Sequence, residues 1–423
     1  MPFALLCTTT IDAQARAFDD ACRRAGMTVR IVSDRSQALT DPWRDGAIAA
    51  TFDQDASHVP PVLAALQGER PAAVLAVGNR PAWLAAHLAL AFGFPSHTPD
   101  AVAAATDKLL TRGRLLAAGL PVPSFVSLPL HGDEGLDRLT RVRFPAVISP
   151  VSPSRGGRTT RVHSLTELLE ARDRIAGAVG QHPRATAQAA DGAAVLVEAY
   201  VPGREFELAG VLEHGALRVF ALFEKPDVRA DPLREDAIFV TPARLAPARQ
   251  RVVAGHVARA ALALGLHHGP LHATCRVDED AIVVLEVVPR ASDHLVARAI
   301  PVVAPDRTPC ALEDALLAHA LGRPLDRYGH QAVASGVLRV EAPASGRLRE
   351  VQGLDEVREM PWVTAVEVRP ASGGSMELVE EAARCPVAVF AQGAQPADVV
   401  ATLRDASARL RLVADGVPPT WTA

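Results

Sequence analysis

The chain has 423 residues, of which 49% are hydrophobic, and this length suffices for two to four packed domains. Its formal net charge of -4 and sequence pI of about 6.4 provide no overall positive field for nucleic acid or an anionic membrane surface. The short N-terminal apolar stretch lacks a preceding basic residue and is soon followed by Asp12, which predicts a first strand and not a secretory signal. Charged residues, Gly and Pro interrupt every apolar run, so a soluble protein without spanning segments is predicted.

The cysteine and lysine contents are both informative. Five cysteines show no CxxC or Cys/His ligand spacing, which indicates reduced thiols and a cytoplasmic protein. One of them, Cys275, is interpreted as a small buried hydrophobic residue. Only two lysines, Lys108 and Lys225, occur among the 44 Lys and Arg residues. Because a compact ammonium and a planar guanidinium are not interchangeable, we expect these two positions to need the ammonium group.

Residues 3 to 95 alternate short apolar runs with amphipathic stretches. This pattern predicts a βαβαβ arrangement and therefore a parallel sheet. No GxGxxG follows the first strand, so a dinucleotide-binding fingerprint is absent. Gly78 and Asn79 follow a predicted strand at its carboxyl end, where open α/β sheets bind ligands, although an ordinary turn is the favoured interpretation.

The middle of the chain predicts a small α+β unit and a longer sheet. A helix is expected from Asp107 to Ala118, and two strands should flank a loop at residues 151–157. A helix from Leu165 to Ile175 and a polar surface connection at residues 177–192 follow. Strands with turns at Gly203 and at His214-Gly215 come next, with a helix from Ala246 to Leu264 between them. After about Val303, a Pro-rich segment, further strands and a final helix predict a third unit.

Five segments, in order and spacing, resemble the ATP-grasp proteins. They are DKLLTRGRLLAAGLPVP, FPAVISPVSPSRGG, VLVEAYVPGREFELAGVLEHGAL, GLHHGPLHATCRVD and VVLEVVPR. The overall length and the region beginning ASGVLRVEAPASGRL look like those of the L-amino-acid ligases, a carboxylate-amine ligase family. The resemblance implies a multidomain α/β and α+β protein with an ATP-grasp fold, an N-terminal parallel-sheet domain and a C-terminal α+β domain. The implied domains are a Rossmann-like domain at 1–106, a lid subdomain at 107–197, a central subdomain at 198–305 and a C-terminal domain at 306–423.

The resemblance also implies a set of phosphate-binding residues. Bound ATP brings several negative charges into a partly dry cleft, so cations and backbone N–H groups must replace water around it. Lys108 matches the lysine that meets the inner phosphates, and Lys225 matches a second phosphate-facing lysine. Arg155 and Gly156 belong to a glycine-containing loop that resembles the mobile lid, while Ser149 stands where most relatives carry another phosphate-binding lysine.

The segment VEAYVPGREF matches the part of the family that holds the nucleoside. By resemblance, Glu198 accepts a hydrogen bond from the adenine amino group, and backbone groups of Ala199 and Val201 contact the edge of the ring. Glu205 would bind the ribose hydroxyls. Carboxylates suit both tasks because each oxygen accepts hydrogen bonds.

The metal-binding part of the pattern is incomplete. The family commonly uses an acidic residue, a Glu and an Asn to bind Mg²⁺, whereas this sequence has Thr274, Glu286 and Val288 at those positions. Glu286 is thus the one expected ligand that is present, and the Mg²⁺ requirement is in doubt. Arg290 matches the arginine that faces the transferred phosphoryl group or the oxyanion. Asp293 and His294 follow it and are candidates to reach a displaced metal or the acyl substrate.

Three functions agree with these residues. The first is an ATP-dependent ligase that joins a small carboxylate, such as an amino acid, to an amine through an acylphosphate. The second is a related protein that binds nucleotide or a small metabolite without turnover, which explains Ser149, Thr274 and Val288 better. The third is a different, metal-independent reaction in the same cleft. Small-molecule substrates, no nucleic acid and no membrane partner are expected, and the oligomeric state stays open, with a homodimer as one option.

Overall fold

The computed structural model describes residues 1–39, 43–132, 134, 136–152, 159–180, 194–226, 237–279, 281–341, 347–368, 376–377 and 385–415. It contains two compact units. The first comprises Met1–Gly203, Gly210–Arg218 and Arg251–Ala291, and the second comprises Arg204–Ala209, Val219–Gln250 and Ser292–Ala423. The four domain ranges inferred from the sequence stay a prediction. None of the helices in the described ranges has the length and apolar character needed to cross a membrane.

The first unit begins with the parallel sheet that the alternating pattern predicts. Its four strands lie in the order β3-β2-β1-β4. Apolar side chains of the strands and of the covering helices, among them Leu5, Leu84 and Leu88, form one buried core. The strands are β1 (Phe3–Thr8), β2 (Thr28–Ser33), β3 (Ile48–Ala49) and β4 (Ala73–Val77), and the helices are α1 (Ala13–Arg24), α2 (Val59–Ala65) and α3 (Asn79–Ala91).

Two helices that meet at Asp107 lead into a second sheet. Helix α4 (Pro99–Thr106) is capped by the Thr98 side chain, and helix α5 (Lys108–Ala117) by the Asp107 side chain. The following sheet is antiparallel, with the order β5-β8-β6-β7. Its strands are β5 (Phe125–Pro129), β6 (Ala146–Pro150), β7 (Thr160–Val162) and β8 (Ala194–Ala199), and its helix is α6 (Leu165–Gly180).

One face of this antiparallel sheet is apolar and packs on α6. Ile148 and Val197 point into a core with Leu168 and Ile175 of the helix. Because neighbouring residues of a strand point to opposite faces, Ser149 and Glu198 lie on the other face. The predicted helix at 165–175 is therefore confirmed and extends further, whereas most of the predicted surface connection at 177–192 lies outside the described residues.

Strands β9 (Arg204–Glu213) and β10 (Ala216–Lys225) each contribute residues to both units. The predicted turn between them is present, with positive φ at His214 and Gly215. Helix α7 (Pro247–Ala263) confirms the helix predicted between the later strands. The first unit then ends with an antiparallel pair, β12 (Gly269–Val277) and β13 (Ile282–Val288).

The second unit is built on neighbouring strands β10, β11, β16, β20 and β18. Ile238, Val240, Leu338 and Val389 form a core with the last helix on one face of these strands. The remaining helices and strands of this unit are β11 (Ala237–Thr241), α8 (His294–Arg298), β14 (Val302–Val303), α9 (Leu312–Ala320), β15 (Gly329–His330), β16 (Ala334–Val340), β17 (Arg347–Gln352), α10 (Leu354–Arg358), β18 (Val363–Val368), β19 (Met376–Glu377), β20 (Val387–Gly393), α11 (Pro396–Arg409) and β21 (Arg411–Asp415).

A buried histidine holds the start of β12 in the first unit. His97 is 5% exposed, its Nε2 lies 3.0 Å from the Pro270 carbonyl oxygen, and its Nδ1 accepts from the His267 N–H. Gly269 lets the ring approach, since a Cβ there would lie 3.0 Å from the imidazole. Burial lowers the pKa of His97 to about 4. The neutral form is therefore the one that the fold requires.

The folded protein should lose stability in mild acid because of His97. An unfolded histidine titrates near pH 6.5, so its contribution is complete above that value and is lost as the pH falls toward 4. Between pH 7.5 and pH 5.0 we expect the free energy of unfolding to fall by about 2 kcal/mol from this residue. Urea unfolding of His97→Gln should show a correspondingly smaller fall, while the control His163→Gln, at an exposed position, should follow the wild type. Equal falls in all three proteins would contradict this role.

Candidate functional site

Lys108 lies beside both ends of the glycine-containing loop. Its backbone N–H donates to the Val151 carbonyl oxygen over 2.9 Å, just before the loop. Its Nζ lies 3.4 Å from the Thr159 Oγ1, just after the loop. The loop residues Arg155 and Gly156, predicted to contact phosphate, lie outside the described residues. The first residue of α5 thus contacts the described residues on both sides of that loop.

A buried ion pair lies one helical turn further along α5. Arg112 Nε donates to Glu198 Oε1 over 2.5 Å, and the two residues are only 3% and 7% exposed. Arg112 Nη1 is buried and has no hydrogen-bond partner among the described residues. Sequence reasoning missed Arg112, although its spacing of four residues from Lys108 places both on one face of the helix. Glu198, predicted to contact adenine, already uses one oxygen in this pair.

Four charged residues from distant segments influence one another here. Burial lowers the pKa of Lys108, and the carboxylates of Glu286 and Glu198 oppose that effect. Arg112 lowers the Lys108 pKa further. Since such effects fall off with distance, helix α5, strand β8 and strand β13 bring these groups together within the first unit. The mixture of two cations and two acids could exchange its internal pairs for contacts to an anionic ligand.

Ser149 belongs to the same face of the antiparallel sheet as Glu198. In the register of β6 and β8, Ser149 pairs with Leu196 and Val147 pairs with Glu198. Ser149 is fully buried, and its Oγ has no hydrogen-bond partner in the described part of the chain. A buried hydroxyl without a hydrogen-bond partner costs free energy, and a ligand that forms a hydrogen bond with it on this face could recover that cost. Such a contact would carry no charge, in contrast to the expected lysine.

The segment predicted to contact adenine is fixed by two neighbouring elements. The Ala199 N–H donates to the Ser124 carbonyl oxygen over 2.9 Å, so a ligand contact from Ala199 would have to use its carbonyl group. Val201 follows directly after β8. The guanidinium of Arg276 donates to the carbonyl oxygen of Gly203 over 2.9 Å and lies within 3.3 Å of the Tyr200 hydroxyl.

Gly203 makes the close packing of this segment feasible. Its φ is +104°, and a Cβ at this position would lie 2.7 Å from the Val277 carbonyl oxygen. A side chain would therefore push the turn away from β12. The predicted turn at Gly203 is confirmed, and it packs closely against the end of β12.

The three positions expected to bind Mg²⁺ share one face of the β12-β13 pair. Thr274 lies directly across from Glu286, and His272 lies across from Val288. Val288 is 2% exposed and supplies no oxygen. Across the described residues, no cluster of three or more His, Cys, Asp or Glu side chains could hold a metal ion. Cys275, next to Thr274, is a buried thiol whose pKa is raised to about 12 by burial, which agrees with the interpretation as a packing residue.

Arg290 is oriented by the first residue of helix α3. Its Nε donates to the Asn79 Oδ1 over 2.5 Å, and its Nη1 donates to the Ala291 carbonyl oxygen over 2.8 Å. Asn79 begins helix α3, directly after Gly78, whose φ is +91°. The pair Gly78-Asn79 is thus more than an ordinary turn, because Asn79 fixes the arginine predicted to be catalytic.

The second unit contains the other predicted nucleotide-binding residues. Lys225 Nζ and Glu205 Oε1 form an ion pair at 2.7 Å, with side chains that are 25% and 14% exposed. Asp293 caps helix α8 and accepts from Arg339 Nη1 at 3.2 Å. His294 lies 3.7 Å from Glu367. The structure therefore gives Asp293 and His294 interactions inside the second unit.

Comparison with known proteins identifies two regions of the chain. Residues 142–297 match the family described as the ATP-grasp domain. The chain therefore contains an ATP-grasp domain. Residues 340–415 match L-amino acid ligase C-terminal domain 2, so the predicted family and its C-terminal region are both confirmed.

Solved and curated proteins are similar to all or part of this chain. The fold is similar to that of L-amino acid ligase from Bacillus licheniformis, with a TM-score of 0.80, 19% identity, and coverage of 98% of this chain and 99% of that one. An uncharacterized protein, y4rH of Sinorhizobium fredii, is 27% identical over 66% of this chain and 56% of its own length. D-alanine–D-alanine ligase of Mycobacterium sp. (strain KMS) is 36% identical over 29% of each chain. The match thus spans 56% of the length of the first of these curated relatives and 29% of the length of the second.

Replacing Lys108 by Ala should weaken ATP binding by about 10-fold to 100-fold, as expected for the loss of one charge-assisted contact to phosphate. Isothermal titration calorimetry would measure this change. Leu110→Ala serves as the control, because Leu110 belongs to the same helix and is 51% exposed. Unchanged affinity in Lys108→Ala, or an equal loss in the control, would exclude the predicted role.

Proposed function

We propose that this chain is an ATP-dependent carboxylate-amine ligase that acts on amino acids or related small carboxylates in the cytoplasm. The main support is the grouping of Lys108, Arg112, Glu198 and Glu286 beside the loop that precedes β7, within a chain of the ATP-grasp family. This grouping offers an ammonium for phosphate, a carboxylate for the nucleoside and a carboxylate for a cation.

The proposed reaction has two steps. A carboxylate oxygen of the first substrate attacks the terminal phosphorus of ATP, and the bond to ADP breaks, which yields an acylphosphate. The nitrogen of the amine then attacks the acyl carbon, the bond to phosphate breaks, and the amine loses a proton. The products are an amide, ADP and phosphate.

The chain's own residues would bind and orient the reactants. Lys108 would neutralise the inner phosphates, and Glu198 would accept from adenine through the oxygen that Arg112 does not use. Arg290, held by Asn79, would stabilise charge on the transferred phosphoryl group or on the oxyanion. The roles of Glu205 and Lys225 toward ribose and phosphate stay a prediction.

The residues present fit one Mg²⁺ ion at most. Mg²⁺ is commonly bound through one or two carboxylates together with substrate phosphates and water. Glu286 can supply one carboxylate, and the facing Thr274 supplies a hydroxyl oxygen. When bound, the ion would neutralise charge that develops on the phosphates.

A second candidate function is nucleotide binding without ligation. This function is favoured by the face of β12 and β13 that carries the positions expected to bind Mg²⁺, because Val288 and Thr274 replace two of the expected ligands there. A bound metal ion that acts as a Lewis acid contributes several kcal/mol of transition-state stabilisation. An ATP-dependent enzyme that loses the ligands of this ion loses that stabilisation. The buried Ser149 in place of a lysine points in the same direction.

Release of ADP from ATP distinguishes these functions. The ligase predicts ADP formation that depends on both an acid and an amine, measured over a panel of amino acids with Mg²⁺ or Mn²⁺. ATP binding without ADP release for any pair would remove the ligase and support the binding protein. No ATP binding at all would favour a different, metal-independent reaction.

Restoring an acid opposite Glu286 should strengthen metal use. In Thr274→Asp, we expect the Mg²⁺ concentration for half-maximal ADP release, or for half-maximal ATP binding, to fall about tenfold, because a second carboxylate joins the first. Thr274→Val, which has nearly the same shape without an oxygen, is the control. An unchanged Mg²⁺ dependence in Thr274→Asp would show that this face does not hold the ion.

A further inference from the structure

The second unit contains a compact group of five charged residues, which we call the Glu207 cluster: Glu205, Glu207, Lys225, Asp293 and Arg339. Lys225 pairs with Glu205 at 2.7 Å, and Arg339 pairs with Asp293 at 3.2 Å. Glu207 follows Glu205 by two residues on β9, so both side chains point to the same side of the strand. Glu207 interacts electrostatically with the other four residues, so the cluster contains three acids and two cations.

The two cations of the Glu207 cluster flank one aromatic ring. The Lys225 Nζ lies 5.2 Å, and the Arg339 guanidinium carbon 5.8 Å, from the centre of the Phe239 ring. Ile238 and Val240, the neighbours of Phe239 on β11, point to the apolar core on the other face. The charged group therefore occupies the face of the strands that lies away from α11, next to an apolar ring.

The surroundings of Glu207 disfavour its ionised form. Burial raises its pKa to about 7, against the opposing effect of Lys225. Asp293 and Glu205 raise the Glu207 pKa further, and Arg339 lowers it. With all three acids ionised the cluster would carry one excess negative charge, whereas neutral Glu207 leaves two acids and two cations.

We propose that Glu207 is a positioning residue that acts through Lys225. As a neutral acid it does not compete with a nucleotide phosphate for the ammonium of Lys225, and as a carboxylate it does. The inference rests on the proposed function, because it takes ATP as the ligand. Its consequence is that ionisation of Glu207 weakens the interaction of the Lys225 ammonium with the nucleotide phosphate.

The test compares ATP affinity from pH 6.0 to pH 8.5 in the wild type and in Glu207→Gln, which mimics the neutral acid permanently. We expect the wild type to bind ATP about tenfold more weakly at pH 8.5 than at pH 6.0, relative to the variant. At pH 6.0 the two proteins should agree. The ratio of the wild-type affinity to the variant affinity at each pH cancels the titration of ATP itself. Glu213→Gln, at an exposed position on the same strand, is the control and should follow the wild type.

A second measurement compares the wild type with Glu207→Gln at pH 7.5, by calorimetry in two buffers with different ionisation enthalpies. ATP binding should take up a larger fraction of a proton in the wild type, because the variant lacks the titrating carboxyl group. The role of Glu207 is overturned if the two proteins take up the same number of protons, if Glu207→Gln shows the same pH dependence as the wild type, or if it binds ATP more weakly at pH 6.0. Failure of every protein to bind ATP would remove the proposed function as well, so the two failures are distinguishable.

Discussion

The buried ion pair between Arg112 and Glu198 is the interaction on which the described site depends. It ties helix α5 to the face of the antiparallel sheet opposite α6. Loss of one partner from a buried pair usually costs about 3–5 kcal/mol, because the other charge stays buried without compensation. Lys108 begins the same helix, so the position of its ammonium beside the loop follows from this anchor. In the proposed site, Arg112 would act on ligand binding by positioning helix α5, without contact with the ligand.

Both lysines of the chain lie among carboxylates. Lys225 is paired with Glu205, and Glu286 and Glu198 favour the charged form of Lys108. A lysine that lies beside carboxylates is not an isolated, partly buried charge when no ligand is bound, so its burial costs less free energy. Under the proposed function, a phosphate that binds Lys225 would replace the Glu205 carboxylate, and the net gain in free energy would be the difference between two favourable pairs. Selectivity for a nucleotide would then depend on its base and ribose as well as on its charge.

The sequence predicted the secondary structure best where hydrophobic periodicity was strong. The parallel strands, α1, α3, α7 and α11 follow directly from alternation or helical spacing. Strand β12 was not predicted, because His272, Thr274 and Arg276 interrupt its apolar pattern. Helix α4 was also missed, although the Thr98 cap and Pro99 were readable as its start.

Site residues were predictable where the residue type itself was unusual. Lys108 was identified because lysine is scarce, and the missing metal ligands were visible as substitutions in a familiar pattern. Arg112 could not be singled out, since one arginine among many becomes informative only when its partner 86 residues later is known. The anchoring of Arg290 by Asn79 joins residues 211 positions apart, which no local pattern encodes.

The scarcity of lysine has a further consequence for the chemistry of the surface. Acyl transfer, glycation and amine-directed labelling reagents all need a side-chain ammonium that can give up its proton. Within this chain such reagents find only Lys108 and Lys225 on side chains, and arginine does not react in their place. Burial lowers the pKa of Lys108, so a larger fraction of its side chain is the free amine at neutral pH. Modification of side-chain amines would therefore be confined to the two proposed phosphate-binding positions.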